Sequence, residues 1–227
     1  MESKYSKFLT ILLIVIIIGV IGLLGYIGYD YLKTDKNDKD MAQFVDDFSK
    51  DNNGGTTGGD NSTGADNSTV NQNEIIVDGG NSNTSGKTKK KRTYKGFNVL
   101  GTIEIPKTGM KGPVLEKPTI SALETSVAVL YPQKSDLNIK GNVVIVGHNY
   151  RNGKFFSNNK KLSNGDKIYI TDLYDEKITY VVYKTFETSE EDTSFYNRDT
   201  NGAREITLST CTDDSKARTI VLAKEAK

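Results

Sequence analysis

The sequence predicts an all-β domain with short helices, a closed barrel or a sandwich, preceded by one transmembrane helix and a disordered tether. Three observations carry that expectation. Residues 8–29 are apolar and uncharged. Residues 51–86 are Gly, Asn, Ser, Thr and Asp with few apolar side chains. From about Thr93 onward, short runs of β-branched and aromatic residues alternate with turns.

The apolar run Phe8–Tyr29 rises about 1.5 Å per residue as a helix, giving roughly 30 Å, the depth of a bilayer core. Lys4 and Lys7 precede it, which predicts a cytoplasmic N-terminus and an extracytoplasmic remainder. A cleaved signal peptide is the competing reading. Its apolar region runs about 7–15 residues and ends in small residues at a cleavage site. This run is longer, and no A-x-A pattern follows it. The expected organisation is a cytoplasmic tail (1–7), an anchor (8–29), an extracellular flexible stalk (30–92) and a folded domain (93–227).

Within the stalk, Met41, Phe44, Val45 and Phe48 recur at helical spacing. That predicts a short amphipathic helix, lying on the membrane surface or fraying from the anchor. Residues 51–86 bury too little apolar surface to offset their ordering entropy, so they are expected to be disordered. Lys87 and Lys89–Arg92 form a basic run at the domain's edge. A solvated linker end is the plain reading; contact with anionic polymer or lipid is the sharper one.

In the domain, Phe97–Ile105, Val127–Leu130, Asn142–Val146, Glu205–Thr210 and Thr219–Ala223 read as strands. Lys167–Thr171 and Lys177–Tyr183 flank a turn and read as a hairpin. Thr119–Thr125 and Phe155–Leu162 read as short helices. A closed sheet also leaves no exposed edge to invite aggregation.

The whole chain of 227 residues holds one cysteine, one histidine and a net charge of +1. One cysteine excludes an internal disulfide, and one Cys with one His cannot build a four-ligand zinc cage. Nothing global points to nucleic acid. The reactive residues fall at strand ends: Cys211 after Glu205–Thr210, His148 after Val143–Val146, and Arg218 at the start of the last strand. Singly, each has a plain explanation: a small buried hydrophobe, a structural imidazole, a solvated charge. Together they form a coherent set. The neighbours Ser209, Thr210, Thr212, Asp213 and Asp214 are polar, so Cys211 does not read as a core residue. A thiolate is favoured by a nearby cation. An imidazole can protonate a leaving amine and deprotonate an incoming one. A guanidinium, always charged, can hold substrate or an oxyanion. That combination suits acyl transfer through a thioester.

Thr207-Leu208-Ser209-Thr210-Cys211, with Arg218 on the next strand, resembles the TLxTC signature of the sortase family. Val146-Gly147-His148-Asn149 is similar to the segment around that family's histidine, and Gly101–Pro106 with Pro113-Val114 to its opening strand and loop. The ending is similar to class B sortases, although the connection Lys184–Arg204 is shorter than theirs. The resemblance implies a closed eight-stranded β-barrel and cysteine transpeptidation at a cell membrane. Cys211, His148 and Arg218 would be catalytic, and Thr210, Ser209 and Asn149 would contact substrate. The partners implied are secreted proteins with a C-terminal LPxTG-like sorting signal, and an amine acceptor. That amine belongs to a peptidoglycan precursor in surface-protein anchoring or to a pilin lysine in pilin polymerisation. No organic cofactor is implied. Some sortases take calcium, and Glu104, Glu187, Glu190, Glu191 and Asp192 offer carboxylates, although acidic clusters are ordinarily solvated surface. A cysteine hydrolase and a non-enzymatic, membrane-anchored adhesion or assembly domain are the competing functions.

Overall fold

The computed structural model describes residues 4–50 and 89–227, without the side chains of residues 4–7 and 30–35. The expected tether, residues 51–86, and Lys87 lie outside the described residues. The chain divides into two units, Met1–Asp40 and Met41–Lys227.

The first unit holds most of helix α1 (Lys4–Lys50). Its segment Phe8–Tyr29, with mean hydropathy 3.1, is long and apolar enough to cross a membrane. Its apolar side chains are exposed, which is compatible with a single-pass anchor.

Among its described residues, the second unit holds the last turns of α1, nine strands and one short α-helix: β1 (Arg92–Tyr94), β2 (Phe97–Ile105), β3 (Met110–Leu115), α2 (Ile120–Thr125), β4 (Val127–Tyr131), β5 (Gly141–Val146), β6 (Lys167–Asp172), β7 (Lys177–Thr188), β8 (Arg204–Cys211) and β9 (Arg218–Glu225). The strands hydrogen-bond in the order β2-β3-β4-β5-β8-β9-β7-β6, and β6 pairs back with β2. Eight strands therefore close into a barrel rather than a sandwich. β1 pairs with β2 along Phe97–Val99, beside the stretch that β6 occupies. Closure needs a sharp bend in β2, and Gly101 supplies it. A Cβ there would lie 2.1 Å from the Thr171 carbonyl oxygen, so no side chain fits.

Ile206 and Leu208 of β8 point into the barrel with Ile103, Val114, Ile145 and Val221. On the outer face, Val144, Ile220 and Leu222 are covered by Phe195 from the β7–β8 connection. β5 and β8 are buried on both faces; β5 accordingly reads as a continuous apolar run, whereas β8 alternates Ile206 and Leu208 with the buried Thr207 and Ser209. The hairpin β6–β7 forms as expected, and β7 runs five residues further, to Thr188. Thr119 caps α2, accepting from the Ala122 amide at 3.2 Å. The second expected helix shortens to a 3-10 turn at Asn159–Lys161.

Two strands were not expected. β3 contains Gly112-Pro113, a pair that argues against strand. Pro113 is tolerated because it faces β2 on one side, whereas the parallel pairing with β4 begins only at Val114. β1 is three residues long and carries no periodicity.

The stalk expectation changes at its first segment. Met41, Val45 and Phe48 of α1 are buried in the second unit, on the barrel rather than on a membrane surface. Phe44 meets Tyr94 edge-on at 5.1 Å, and the Arg92 guanidinium lies 5.1 Å over the Phe48 ring. Lys111 pairs with Asp46 at 2.5 Å. Gly112 makes room: a Cβ there would come within 3.1 Å of the Met41 sulfur. The amphipathic face buries against an apolar patch of its own chain.

Candidate active site

β5 and β8 are parallel neighbours in register, Val144 beside Thr207 and Val146 beside Ser209. Parallel pairing brings two C-terminal ends together although they are far apart in sequence. His148 leaves one end and Cys211 closes the other. Gly147 donates its amide to the Ser209 carbonyl at 3.3 Å, and the Thr210 hydroxyl donates to the Gly147 carbonyl at 2.7 Å. Gly147 is required by space: a Cβ would sit 2.7 Å from Val127 Cγ1 and 3.0 Å from Phe156 Cδ2. The half-buried His148 ring packs on Tyr150, centroids 5.1 Å apart, and its carbonyl accepts from the Phe156 amide at 3.2 Å.

Cys211 is the last residue of β8 and is partly exposed. It faces Arg218 across the β8–β9 pair. Arg218 Nη1 donates to Cys211 Sγ at 2.9 Å. Its other arm, Nη2, reaches Glu190 Oε2 at 3.4 Å. One fork thus spans the thiol and a carboxylate. The turn between β8 and β9 sets this register. Thr212 accepts from the Ala217 amide at 3.1 Å, and Asp214 accepts from the Thr212 hydroxyl at 2.6 Å and the Lys216 amide at 3.1 Å.

The His148 loop and the Cys211 turn are clasped. Asn149 Nδ2 donates to the Cys211 carbonyl and to Asp213 Oδ1, both at 2.9 Å. Arg151 donates to the Asp213 carbonyl and to Ser215, and Lys160 pairs with Asp213. The Lys160 ammonium first, then the Asn149 amide, holds the Asp213 carboxyl below its ordinary value. Behind the clasp lies a cleft of about 280 Å³ lined by Asn149, Ser157, Lys160, Thr210, Thr212 and Asp213.

All three expected catalytic residues lie at one end of the β5–β8–β9 strands. Among the described hydrogen bonds, the one to the Cys211 sulfur comes from Arg218, and none joins it to His148. Of the residues expected to contact substrate, Asn149 and Thr210 line the cleft behind the clasp. Thr210 is buried on the inner face with its hydroxyl on Gly147, and Ser209 is buried on the Cys211 face. Asn149 spends its amide on the clasp. The acidic residues do not gather. Glu104 pairs with Lys177, Glu190 with Arg218, and Asp192 accepts from Thr188 and Ser194. Among the described residues, no group of three or more His, Cys, Asp or Glu side chains converges on a metal position.

Comparison with known proteins agrees with this architecture. Residues 103–226 match the family model described as Sortase domain. Sortase A of Bacillus anthracis is 34% identical over 122 residues, covering 52% of this chain and 56% of that protein. The match therefore spans little more than half of that relative's length. Among solved structures, the Clostridium perfringens sortase D5 transpeptidase is 31% identical, with a TM-score of 0.51, covering 57% of this chain and 79% of that one. Listeria monocytogenes sortase A is 27% identical, with a TM-score of 0.51, covering 57% and 88%.

Proposed function

The chain belongs to the sortase family, and from that premise we propose that it is a membrane-anchored cysteine transpeptidase that attaches secreted proteins to an amine of a cell-wall precursor. Cys211 is the nucleophile, His148 the acid–base group and Arg218 the stabilising cation. The observation that carries this reading is the 2.9 Å contact from Arg218 Nη1 to Cys211 Sγ at the rim of the barrel. A fixed positive charge beside the sulfur is suited to stabilising negative charge that develops during acyl transfer.

In the first half-reaction Cys211 Sγ attacks the Thr carbonyl carbon of an LPxTG-like motif. The carbonyl π pair moves to oxygen, and the Thr–Gly bond breaks as the tetrahedral adduct collapses to a thioester. The leaving amine takes a proton from the His148 imidazolium. In the second, an incoming amine loses its proton to neutral His148 and attacks the thioester. A new amide forms and the thiolate is released. The apolar segment Phe8–Tyr29, with Lys4 and Lys7 before it, supports an uncleaved anchor with its N-terminus inside.

The test uses a fluorogenic LPETG peptide with and without triglycine, followed by mass spectrometry. A thioester on Cys211 and an amine-linked product are expected, and both are absent in Cys211→Ala. A product unchanged by triglycine would mark a hydrolase. Absence of any covalent adduct would leave a non-enzymatic surface domain.

A further inference from the structure

The segment that follows β5 sets a tyrosine against the acid–base group. Residues 148–155 fold back on themselves: Asn149 and Phe155 form an antiparallel bridge. Gly153 makes the bend at φ 91, a left-handed conformation that glycine adopts without strain. Phe155 takes φ 49, which is unfavourable for a bulky side chain, and its ring is buried at 2% exposure. The burial holds the backbone there and makes Phe155 a fixed anchor. Tyr150 links this anchor to the imidazole. Its ring centroid stands 5.7 Å from that of Phe155 and 5.1 Å from that of His148, tilted by 49° and 46°. Both distances fall in the range of about 4.5–7 Å over which ring pairs attract. The Tyr150 backbone is fixed as well. Its amide donates to Ser157 Oγ at 3.0 Å, and that hydroxyl donates to the Lys154 carbonyl at 2.6 Å. Burial first, then the charge of Glu124 on α2, raises the Tyr150 phenol, so the ring stays neutral beside His148 at neutral pH. The His148 carbonyl is held by the Phe156 amide at 3.2 Å, which fixes the backbone and leaves the side-chain torsions to be set by contact. Among the described residues, the contact on the imidazole is the Tyr150 ring.

We propose that Tyr150 is a positioning residue whose ring, backed by Phe155, holds the His148 imidazole in the orientation that passes a proton to the leaving amine and takes one from the incoming amine. The proposal deepens the transpeptidase reading and rests on it. Proton transfer needs the imidazole nitrogen within hydrogen-bond reach of the reacting nitrogen. A misplacement of about 1 Å can cost on the order of 10²-fold in rate. The role belongs to the ring and not to the hydroxyl, and it bears on turnover rather than on binding of the donor peptide.

The chain holds one histidine, so the imidazole can be read by itself. With carbon-13-labelled histidine, the full-length chain in detergent gives a single ring Cε1–H resonance. Tyr150→Leu removes the aromatic ring, and Tyr150→Phe keeps it without the hydroxyl. Tyr150 is 42% exposed, so neither change opens a sealed cavity. At one fixed pH, the resonance is expected to move in Tyr150→Leu and to hold in Tyr150→Phe. With LPETG peptide and triglycine, kcat should fall about tenfold or more in Tyr150→Leu. KM and iodoacetamide alkylation of Cys211 should stay within about threefold of wild type, and Tyr150→Phe should stay within about threefold in all three. If Tyr150→Leu fails to fold, Tyr150→Met carries the same expectations. An unmoved resonance, an unchanged kcat, a parallel loss of kcat and alkylation, or a loss in Tyr150→Phe as large as in Tyr150→Leu overturns the proposal. If the wild type forms no thioester, the transpeptidase reading fails and the catalytic role of Tyr150 with it. The resonance still decides whether the Tyr150 ring sets the imidazole.

Discussion

The Arg218 guanidinium divides its two arms between Cys211 and Glu190, so both its charge and its shape are used. Arg218→Ala should lower kcat/KM by about 10²–10³, the loss typical of one transition-state donor. Arg218→Lys, which keeps charge but loses the fork, should fall between that and wild type. Steady-state kinetics with unchanged thermal melting would check both. Cys211, His148 and Arg218 were legible in the sequence because their chemistry is rare in combination and each stands at the end of a segment that reads as a strand. Glu190 was not, because an exposed glutamate among Glu187, Glu191 and Asp192 carries no pattern until folding sets it against Arg218. Asn149 was legible as a site residue but not in its role, since only coordinates show its amide on the Cys211 carbonyl. Asp213 adds a pH dependence. Its carboxyl titrates below the ordinary 3.8, chiefly through Lys160. The clasp is therefore fully present above the ordinary carboxylate value and is lost as pH falls through the lower folded one. Protection of the amides of residues 148–158, relative to their intrinsic exchange rates, should fall in that acid range, and Asp213→Asn should show the lower protection at neutral pH.

Among elements, the C-terminal stretch of α1 gives the clearest test. Phe48 is 1% exposed beneath Arg92. Phe48→Ala should cost about 3 kcal/mol of stability, within the range for deleting a buried aromatic ring. Denaturant midpoints of the full-length chain would measure it. Cys211 alkylation in the folded variant should match wild type. The heptad-like spacing of Met41, Phe44, Val45 and Phe48 revealed the helix and its apolar face. It did not reveal what the face meets, because β1 and Gly112, which form the receiving patch, have no sequence signal of their own. The long strands were readable for the opposite reason. Their β-branched residues either run on, as in β5, or alternate buried and half-buried, as in the first half of β7, and both patterns leave little alternative to sheet. β3 was hidden by Gly112-Pro113, a local signal overridden by its place between β2 and β4.

The molecule as a whole depends on closing the sheet between β2 and β6. Gly101 stands at that seam, with the Thr171 carbonyl 2.1 Å from where a Cβ would be. Gly101→Val should prevent closure and leave the second unit without a cooperative thermal transition by circular dichroism. Cysteine reactivity should then lose its protection and approach that of an unfolded chain. Barrel and sandwich were both compatible with the strand spacing. The long-range pairing that distinguishes them is a property of the whole sheet.

Lys111 to Asp46 and Arg92 to Phe48 tie the end of α1 and the beginning of the barrel to one patch. The last turns of α1 therefore belong to the barrel's own fold. A truncation that begins at Met41 keeps this patch covered, whereas one that begins at Lys89 strips it and bares apolar surface to water.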